Sequence, residues 1–385
     1  MAGQEQTHEK VPTPPSGLYI HIPFCISKCP YCDFYSIAST ALVKSFIESL
    51  KMEMNIYRKT FTSFDTIYIG GGTPSLLGSD VITGIIDTAR INFEIAVGAE
   101  ITIETNPGDM SHEKITGIKK AGINRVNLGV QSFNDNDLKF LGRRHSAADS
   151  LMAFHSLRDA GFNNVGIDLI YGLMDQSIHG WLKNLERALE LSPEHISCYQ
   201  LTIEGKTPFN AMKKKGKLSD LGEDAAAAFF LETSDFLEKT GYLHYEVSNF
   251  AKGTEFRSRH NMKYWHRIPY LGLGPSAHSF NGKKRWWNYS SVKNYCTDIK
   301  AGLMPVEGSE ELSIEQELLE IISLGLRTGE GIKKDIIAEI PGAMEAVKRL
   351  ESTGHVKITG DSVTPTKKGL LVADRLPLIL MDQDC

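Results

Sequence analysis

Six times between residues 17 and 250 a short apolar run passes through a turn into a stretch with helical spacing. The runs are "GLYIHI" at 17–22, "FDTIYIGG" at 64–71, "EITIET" at 100–105, "INRVNLGVQ" at 123–131, "NVGIDLIYG" at 164–172 and "HISCYQ" at 195–200. Helical periodicity follows at 41–59, 80–91, 111–121, 147–160, 178–191 and 224–239. Strand and helix in strict alternation dictate parallel strands, because a parallel connection needs a crossover long enough to hold a helix. Six units fall short of the eight that close a full barrel. The rhythm suits either a doubly wound sheet or a TIM-like barrel, and an α/β fold built on a partial (β/α)6 TIM-like barrel is favoured. Glu104, Gln131 and Asp168 are expected toward the C-terminal ends of their strands, and a cysteine loop and a glycine turn follow strands directly. Chemistry would then gather at one rim.

The rhythm stops near residue 250. Residues 257–288 are rich in aromatic and basic residues without a clean period, and from 313 the spacing is helical, closing with the hairpin-like "HVKITGDSVTPTKKG". The expected organisation is a disordered tail over 1–16, a core domain over 17–250 and a C-terminal mainly helical, winged-helix-like domain over 251–385. A winged helix raises the question of DNA. Residues 313–385 carry 9 Lys and Arg against 12 Asp and Glu, and the whole chain is at −5, so the basic field that DNA binding needs is missing and no nucleic-acid partner is expected. No run approaches the ~20 apolar residues of a membrane span. The polar, proline-bearing start lacks the apolar core of a signal peptide, so a soluble, cytoplasmic protein with no integral membrane segment is expected.

Three of the six cysteines sit in "CISKCPYCDF" as Cys25, Cys29 and Cys32, while Cys198, Cys296 and Cys385 are scattered singly. Clustered thiols in a chain without export signals point to metal or redox use rather than a disulfide framework. Two chemistries suit the spacing. Zinc would take His21 as a fourth ligand. A [4Fe–4S] cluster would use the three thiolates and leave one iron open to a small molecule. Strand alternation puts Tyr19 and His21 on one face, which makes His21 a barrel-lining residue. Cys198, inside a strand, reads as a small buried hydrophobe.

"YIHIPFCISKCPYCDF" resembles the signature of the radical S-adenosylmethionine (SAM) superfamily, with Tyr31 as its usual aromatic, and "GGGTPS" at 70–75 resembles that family's glycine motif, which holds the SAM amino group through backbone carbonyls. The resemblance implies that Cys25, Cys29 and Cys32 hold a [4Fe–4S] cluster. It also implies that SAM lies among Tyr19, Tyr31, Gly71, Gly72, Thr73, Glu104, Gln131, Arg143 and Asp168. The residue types suit that ligand: Glu104 can accept from its ammonium, Arg143 can donate to its carboxylate, and Gln131 and Asp168 can bond its ribose.

From Tyr19 to about Asn288 the chain is similar to two related branches of that superfamily, the oxygen-independent coproporphyrinogen III dehydrogenases and the HemW-like heme chaperones. Phe34 stands where the dehydrogenase pattern has a fourth cysteine, and only 24 residues precede Cys25, little material for a structured leader. "HNMKYW" at 260–265 matches the His-Asn-x-x-Tyr-Trp motif of the chaperone branch, which is implicated in heme binding. The chaperone branch implies heme as the bound partner, His260 as its axial ligand and His278 as the rival. Tyr264 and Trp265 would offer aromatic faces, and Arg257, Arg259 and Lys263 would meet the propionates. It further implies transfer of heme to an acceptor protein, with no coproporphyrinogen dehydrogenase activity. The dehydrogenase reaction is the alternative.

Overall fold

Each of the six apolar runs is a strand followed by helix in the computed structural model of the protein, which describes residues 14–381. Residues 1–13, which carry most of the expected disordered tail, and Cys385 lie outside the described residues. The barrel part runs β1 (Ser16–Ile22), α1 (Val43–Tyr57), β2 (Ser63–Gly71), α2 (Ser79–Asn92), β3 (Glu94–Thr105), α3 (His112–Lys120) and β4 (Arg125–Gln131). It continues through α4 (Asp135–Phe140), α5 (Ala147–Asp159), β5 (Val165–Tyr171), α6 (Ile178–Leu191), β6 (His195–Gln200), α7 (Pro208–Lys214) and α8 (Glu223–Lys239). Strands β1 to β6 are parallel neighbours in sequence order.

Period-2 alternation divides the strands cleanly. One face carries Leu18, Ile20 and Ile22, then Ile67 and Ile69, Ile101 and Ile103, Val126, Leu128 and Val130, Val165, Ile167 and Leu169, all buried in the main apolar core. That face meets the surrounding helices, including Phe46, Leu50 and Met54 of α1 and Ile82, Ile85 and Ile86 of α2. The opposite face carries Tyr19, His21, Tyr68, Glu104, Asn127, Asp168 and Tyr199, which line a cavity inside the curved sheet. The apolar exterior is that of any helix-covered barrel, but the polar interior differs from the packed core of an eight-stranded one and leaves room inside for a ligand.

The sheet does not end at residue 250. After β7 (Leu243–Glu246) and β8 (Asn249–Ala251), which run antiparallel beyond β6, the chain crosses under the barrel through α9 (Arg259–Trp265). It then lays β9 (Tyr270–Leu273) parallel to β1 on the opposite edge. β10 (His278–Phe280), β11 (Lys284–Asn288), α10 (Val292–Lys300) and β12 (Val306–Glu311) follow, and the strands extend the same sheet to twelve, in the order β12-β11-β10-β9-β1-β2-β3-β4-β5-β6-β8-β7. Four-residue strands such as "YLGL" are too short to show a period, which is why this stretch reads as irregular in the sequence.

The helical unit begins at α11 (Ile314–Gly325) and continues with β13 (Ile332–Lys333), α12 (Lys334–Ala338), α13 (Ala343–Ser352), β14 (Val356–Thr359), β15 (Ser362–Pro365), α14 (Lys367–Leu371) and α15 (Leu376–Met381). Its three strands form a separate sheet in the order β13-β15-β14, and Ile322, Ile337, Val347, Val363 and Leu376 make a second core. Helices with a small antiparallel wing match the winged-helix expectation in form. Ion pairs tie the unit to the barrel: Arg267 to Glu317 and Glu320 at 2.9 and 2.8 Å, and Arg257 to Glu330 at 2.7 Å.

A buried carboxylate fastens the added strands to the barrel. Glu53 of α1 accepts from the backbone N–H of Gly274 at 2.8 Å, from Asn288 Nδ2 at 2.7 Å and from the Tyr295 hydroxyl at 2.6 Å. Burial pushes its carboxyl up to about 7 against the pull of these three donors. Removing it would strand all three, at a cost of about 1–3 kcal/mol for each donor left unpaired. Glu53→Ala is expected to lose roughly 3 kcal/mol or more of stability, read as a lowered urea midpoint, whereas an exposed control such as Glu48→Ala should stay within about 0.5 kcal/mol.

Candidate functional site

The cysteine loop and the glycine turn are built as one object. At the end of β1 the chain turns outward, and Ile37 returns to pair with it: Ile37 N–H donates to Pro23 O at 2.9 Å and Cys25 N–H to Ile37 O at 3.1 Å. The turn after β2 then docks on the same segment, with Gly72 N–H donating to Ile22 O and Thr73 N–H to Phe24 O, both at 2.8 Å. Only glycine fits there. A Cβ at position 72 would stand 2.6 Å from Phe24 O, and one at Gly71, whose φ is +108°, would stand 2.6 Å from the His21 ring.

The three thiols are free and line one cavity of about 60 Å³ with Ser27, Lys28, Tyr31, Thr73 and Arg143. Thr73 Oγ1 donates to Cys25 Sγ at 3.4 Å and Arg143 Nη1 to Cys29 Sγ at 3.6 Å. Burial pushes the Cys32 thiol up, so its proton is lost on metal binding rather than before it. Both nitrogens of His21 are occupied, Nδ1 by the Tyr19 hydroxyl at 3.0 Å and Nε2 by Tyr35 O at 2.8 Å. His21 is thereby a lining residue, and the zinc alternative loses its fourth ligand. Three thiols with donors turned toward two of them fit an iron–sulfur cluster held by three thiolates.

A second small cavity, about 110 Å³, adjoins the first and shares Gly72, Thr73, Asn106 and Arg143 with it. Glu104, Gln131 and Asp168 line it too, so of the nine residues expected around SAM all but Tyr19, Tyr31 and Gly71 meet here. Those three line the large cavity alongside, together with Gly72, Glu104, Gln131, Arg143 and Asp168, so the two cavities share a wall. Glu104 accepts from the Tyr68 hydroxyl at 2.8 Å and from Gly71 N–H at 3.0 Å, and burial holds its carboxyl up at about 7. Arg143 Nη2 donates to Gly129 O at 2.8 Å, while its buried Nε has no partner among the described residues. Asn127 Oδ1 and Asp168 Oδ1 are likewise buried without a partner. Such orphaned atoms in one polar cavity suit a ligand with several donors and a carboxylate, as SAM has.

Asp168 does not sit at a strand end. It lies in the middle of β5, opposite Ser197 of β6, because β5 runs on through Tyr171. Burial raises its carboxyl to about 6, opposed by the Ser197 hydroxyl and by Arg125 and Arg143. Gln131 ends β4 with a φ of +69°, a conformation rare for a side-chain-bearing residue, at a break in the β4–β5 register. Asn127 is absent from the sequence expectations, although it lies four residues before Gln131 in the same strand. Period-2 spacing could have placed it on the inner face.

The large cavity has a volume of about 850 Å³ and opens beside the cysteine loop, with Tyr31, Cys32 and Phe34 on its wall. Such a volume lies in the range of about 300–1,000 Å³ typical of cofactor-sized sites. Phe34 is 70% exposed, so it guards the mouth without packing into the core. Tyr19, Tyr68, Tyr199, Tyr264 and Tyr270 give the interior an aromatic wall with hydroxyl tips, and His278 stands in the same lining with its ring stacked on Trp287 at 5.8 Å.

His260 is not on that wall. It is 1% exposed in the floor of the barrel, where its N–H donates to Glu100 Oε1 at 3.0 Å and Lys263 beside it pairs with Asp65 at 2.6 Å. Its Nδ1 meets Thr66 Oγ1 at 2.8 Å and its Nε2 the Tyr264 hydroxyl at 2.9 Å. Burial, with the Lys263 charge, lowers the ring to about 3 and keeps it neutral. Trp265 is held under Arg327, 5.5 Å away, Arg257 pairs with Glu330 and Arg259 with Asp65. Trp265, Arg257, Arg259 and Lys263 are all absent from the cavity lining, so the basic side chains expected at the propionates are turned elsewhere.

The geometry has counterparts in known proteins. Residues 19–187 match the family described as the Radical SAM superfamily. The chain is 35% identical over 369 residues to the heme chaperone HemW of Bacillus subtilis, covering 93% of this chain and 97% of that one. It is 39% identical over 272 residues to the heme chaperone HemW of Escherichia coli, covering 70% and 71%. Coproporphyrinogen III oxidase (HemN) from Escherichia coli, described as a radical SAM enzyme, superposes with a TM-score of 0.80 at 23% identity, over 95% of this chain and 90% of that one. At that identity the likeness speaks for the fold.

Two measurements test the site. Gly72→Ala forces a Cβ onto backbone atoms of the cysteine loop, so iron retained after anaerobic reconstitution should fall severalfold relative to wild type. Glu104 is ionised only above about 7. A ligand ammonium prefers the ionised form, so SAM affinity should rise as pH increases from 6 to 8, by up to about tenfold per unit below the pKa. The rise should disappear in Glu104→Gln.

Proposed function

This chain belongs to the HemW family within the radical SAM superfamily, and on that premise we propose that it is a heme chaperone, which binds heme and passes it to an acceptor protein. The observation that carries the reading is the 850 Å³ tyrosine-walled cavity beside the three-cysteine loop. Its aromatic faces suit a flat apolar macrocycle. Phe34 in place of a fourth cysteine agrees with the same branch.

In this reading Cys25, Cys29 and Cys32 hold a [4Fe–4S] cluster, which when bound supplies one-electron redox chemistry and an open iron. Glu104 and the glycine turn receive the amino end of SAM, Arg143 its carboxylate, and Gln131 and Asp168 its ribose. Arg143 also donates to Cys29, which joins the SAM cavity to the thiol loop. Tyr31, Cys32, Gly72 and Arg143 border both the thiol cavity and the large cavity, so the two sites adjoin. No helix among the described residues is long and apolar enough to cross a membrane.

Heme titration of the anaerobically reconstituted chain, followed by absorption, tests the proposal. Saturable binding at near one heme per chain, and loss of that heme to an added apo-acceptor, are expected. Absence of heme binding, or conversion of coproporphyrinogen III to protoporphyrinogen with SAM and reductant, would overturn it. Cys29→Ala should lose the cluster absorption and most of its iron, and its heme transfer should be slower than wild type.

A further inference from the structure

We infer that His278, carried into the large cavity on the rigid turn between β9 and β10, is the side chain that meets heme iron; the inference rests on the heme reading above. From Leu271 to Phe280 every residue is buried except Ser276 and His278, and both of these line the cavity. Ser276 stands at a φ of +64°, a strained backbone for a residue with a side chain, which marks a turn held by its surroundings. Those surroundings grip it on several sides. The buried Glu53 carboxylate receives the Gly274 N–H at 2.8 Å. Asn288 donates from Nδ2 to Gly274 O at 3.0 Å and from its backbone N–H to Ala277 O at 2.9 Å. Ser276 N–H donates to Tyr289 O and Gly272 N–H to Ser279 Oγ, both at 2.9 Å. The two strands lie so close that a Cβ at Gly272 would run into His278 O. With the backbone fixed before and after it, the His278 ring alone projects. It stacks on Trp287, its cross-strand partner, with ring centres 5.8 Å apart and planes at 25°. That indole is seated in turn on Gly308 of β12, where a Cβ would collide with it.

A side chain ligates iron through a lone pair that no protein group already holds. Two histidines line the cavity. His21 has both nitrogens bonded, to the Tyr19 hydroxyl and to Tyr35 O. His278 has no partner at either ring nitrogen among the described residues. Burial and the Arg285 charge both lower its pKa, which favours the neutral imidazole that binds metal. The tyrosines are less suited. Burial holds the phenols of Tyr19, Tyr68 and Tyr264 above their usual range, against the phenolate that ferric iron binds, and their hydroxyls are turned onto His21, Glu104 and His260. Cys32 belongs to the thiol loop. An imidazole on a fixed backbone and already stacked gives up little rotamer freedom when it ligates, so the platform lowers the entropic cost of taking heme. Ligation through the lone pair moves neither a proton nor an electron.

Hemin added to the full-length, anaerobically reconstituted chain gives the test. Resonance Raman spectra of the reduced complex should show an iron–imidazole stretch in wild type. His278→Ala should lose that stretch, with hemin affinity falling about tenfold or more, which is about 1.4 kcal/mol. Free imidazole should restore the stretch in that variant, a rescue that a merely structural defect would not show. In wild type, bound hemin should shield His278 from diethyl pyrocarbonate, read by mass spectrometry of the modified peptide, and this needs no variant to fold. An iron–imidazole stretch that survives His278→Ala would overturn the assignment, with the heme reading left standing. A phenolate or thiolate signature in wild type, or equal modification of His278 with and without hemin, would do the same. If wild type takes up no hemin at all, the heme reading itself fails, independently of which residue is the ligand.

Discussion

Two backbone hydrogen bonds, Gly72 N–H to Ile22 O and Thr73 N–H to Phe24 O, set the geometry on which the rest of the site depends. They join the end of β2 to the beginning of the cysteine loop at a distance that excludes any Cβ at position 72. Because β1 and β2 are parallel neighbours, the bonds continue the sheet ladder one step past the strands, and the loop inherits the rigidity of the sheet. The three thiols therefore emerge from a fixed platform rather than a free loop. A metal-binding loop so held needs less ordering when metal arrives, and this lowers the entropic cost of binding.

The interior of the barrel is the second constraint. A polar inner face would be costly if it were dry and unpaired, and most of it is paired. Tyr68 bridges Glu104 and Asn127, Tyr19 reaches His21, and His260 links Thr66 to Tyr264. Three of the buried atoms left without partners, Asn127 Oδ1, Asp168 Oδ1 and Arg143 Nε, lie around the small cavity next to the thiols, where they keep hydrogen-bonding capacity for a ligand. Others, such as Arg125 Nε and Nη2, lie at the floor.

Strand and helix alternation made the parallel sheet legible, since each of the six apolar runs carries its own period and turn. The thiol loop and the glycine turn were legible for a different reason: their chemistry is local, and spacing of a few residues nearly fixes what they can do. The strand-end residues were partly legible. Glu104 and Gln131 are where the pattern puts them, whereas Asp168 sits deeper, in the middle of β5 as it is in the middle of the apolar run 164–172. Residues 257–311 were the least legible. Their strands are short, and they exist because β1 offers an open edge and Glu53 offers a buried acceptor across more than two hundred residues of chain.

By itself the sequence determined the alternating layers, the three thiols, the glycine turn and the aromatic–histidine motif of α9, because each is a statement about residues within a few positions of one another. Tertiary structure alone decided which member of that motif faces the cavity. His260 and Tyr264 stand on one helix face, and no periodicity distinguishes them. The choice is made by Glu100, Asp65 and Thr66, residues some 160 to 200 positions away, which pull the helix down until the histidine is sealed and the tyrosine is not. Contacts of that range depend on how the sheet closes on itself, and this is a property of the whole fold.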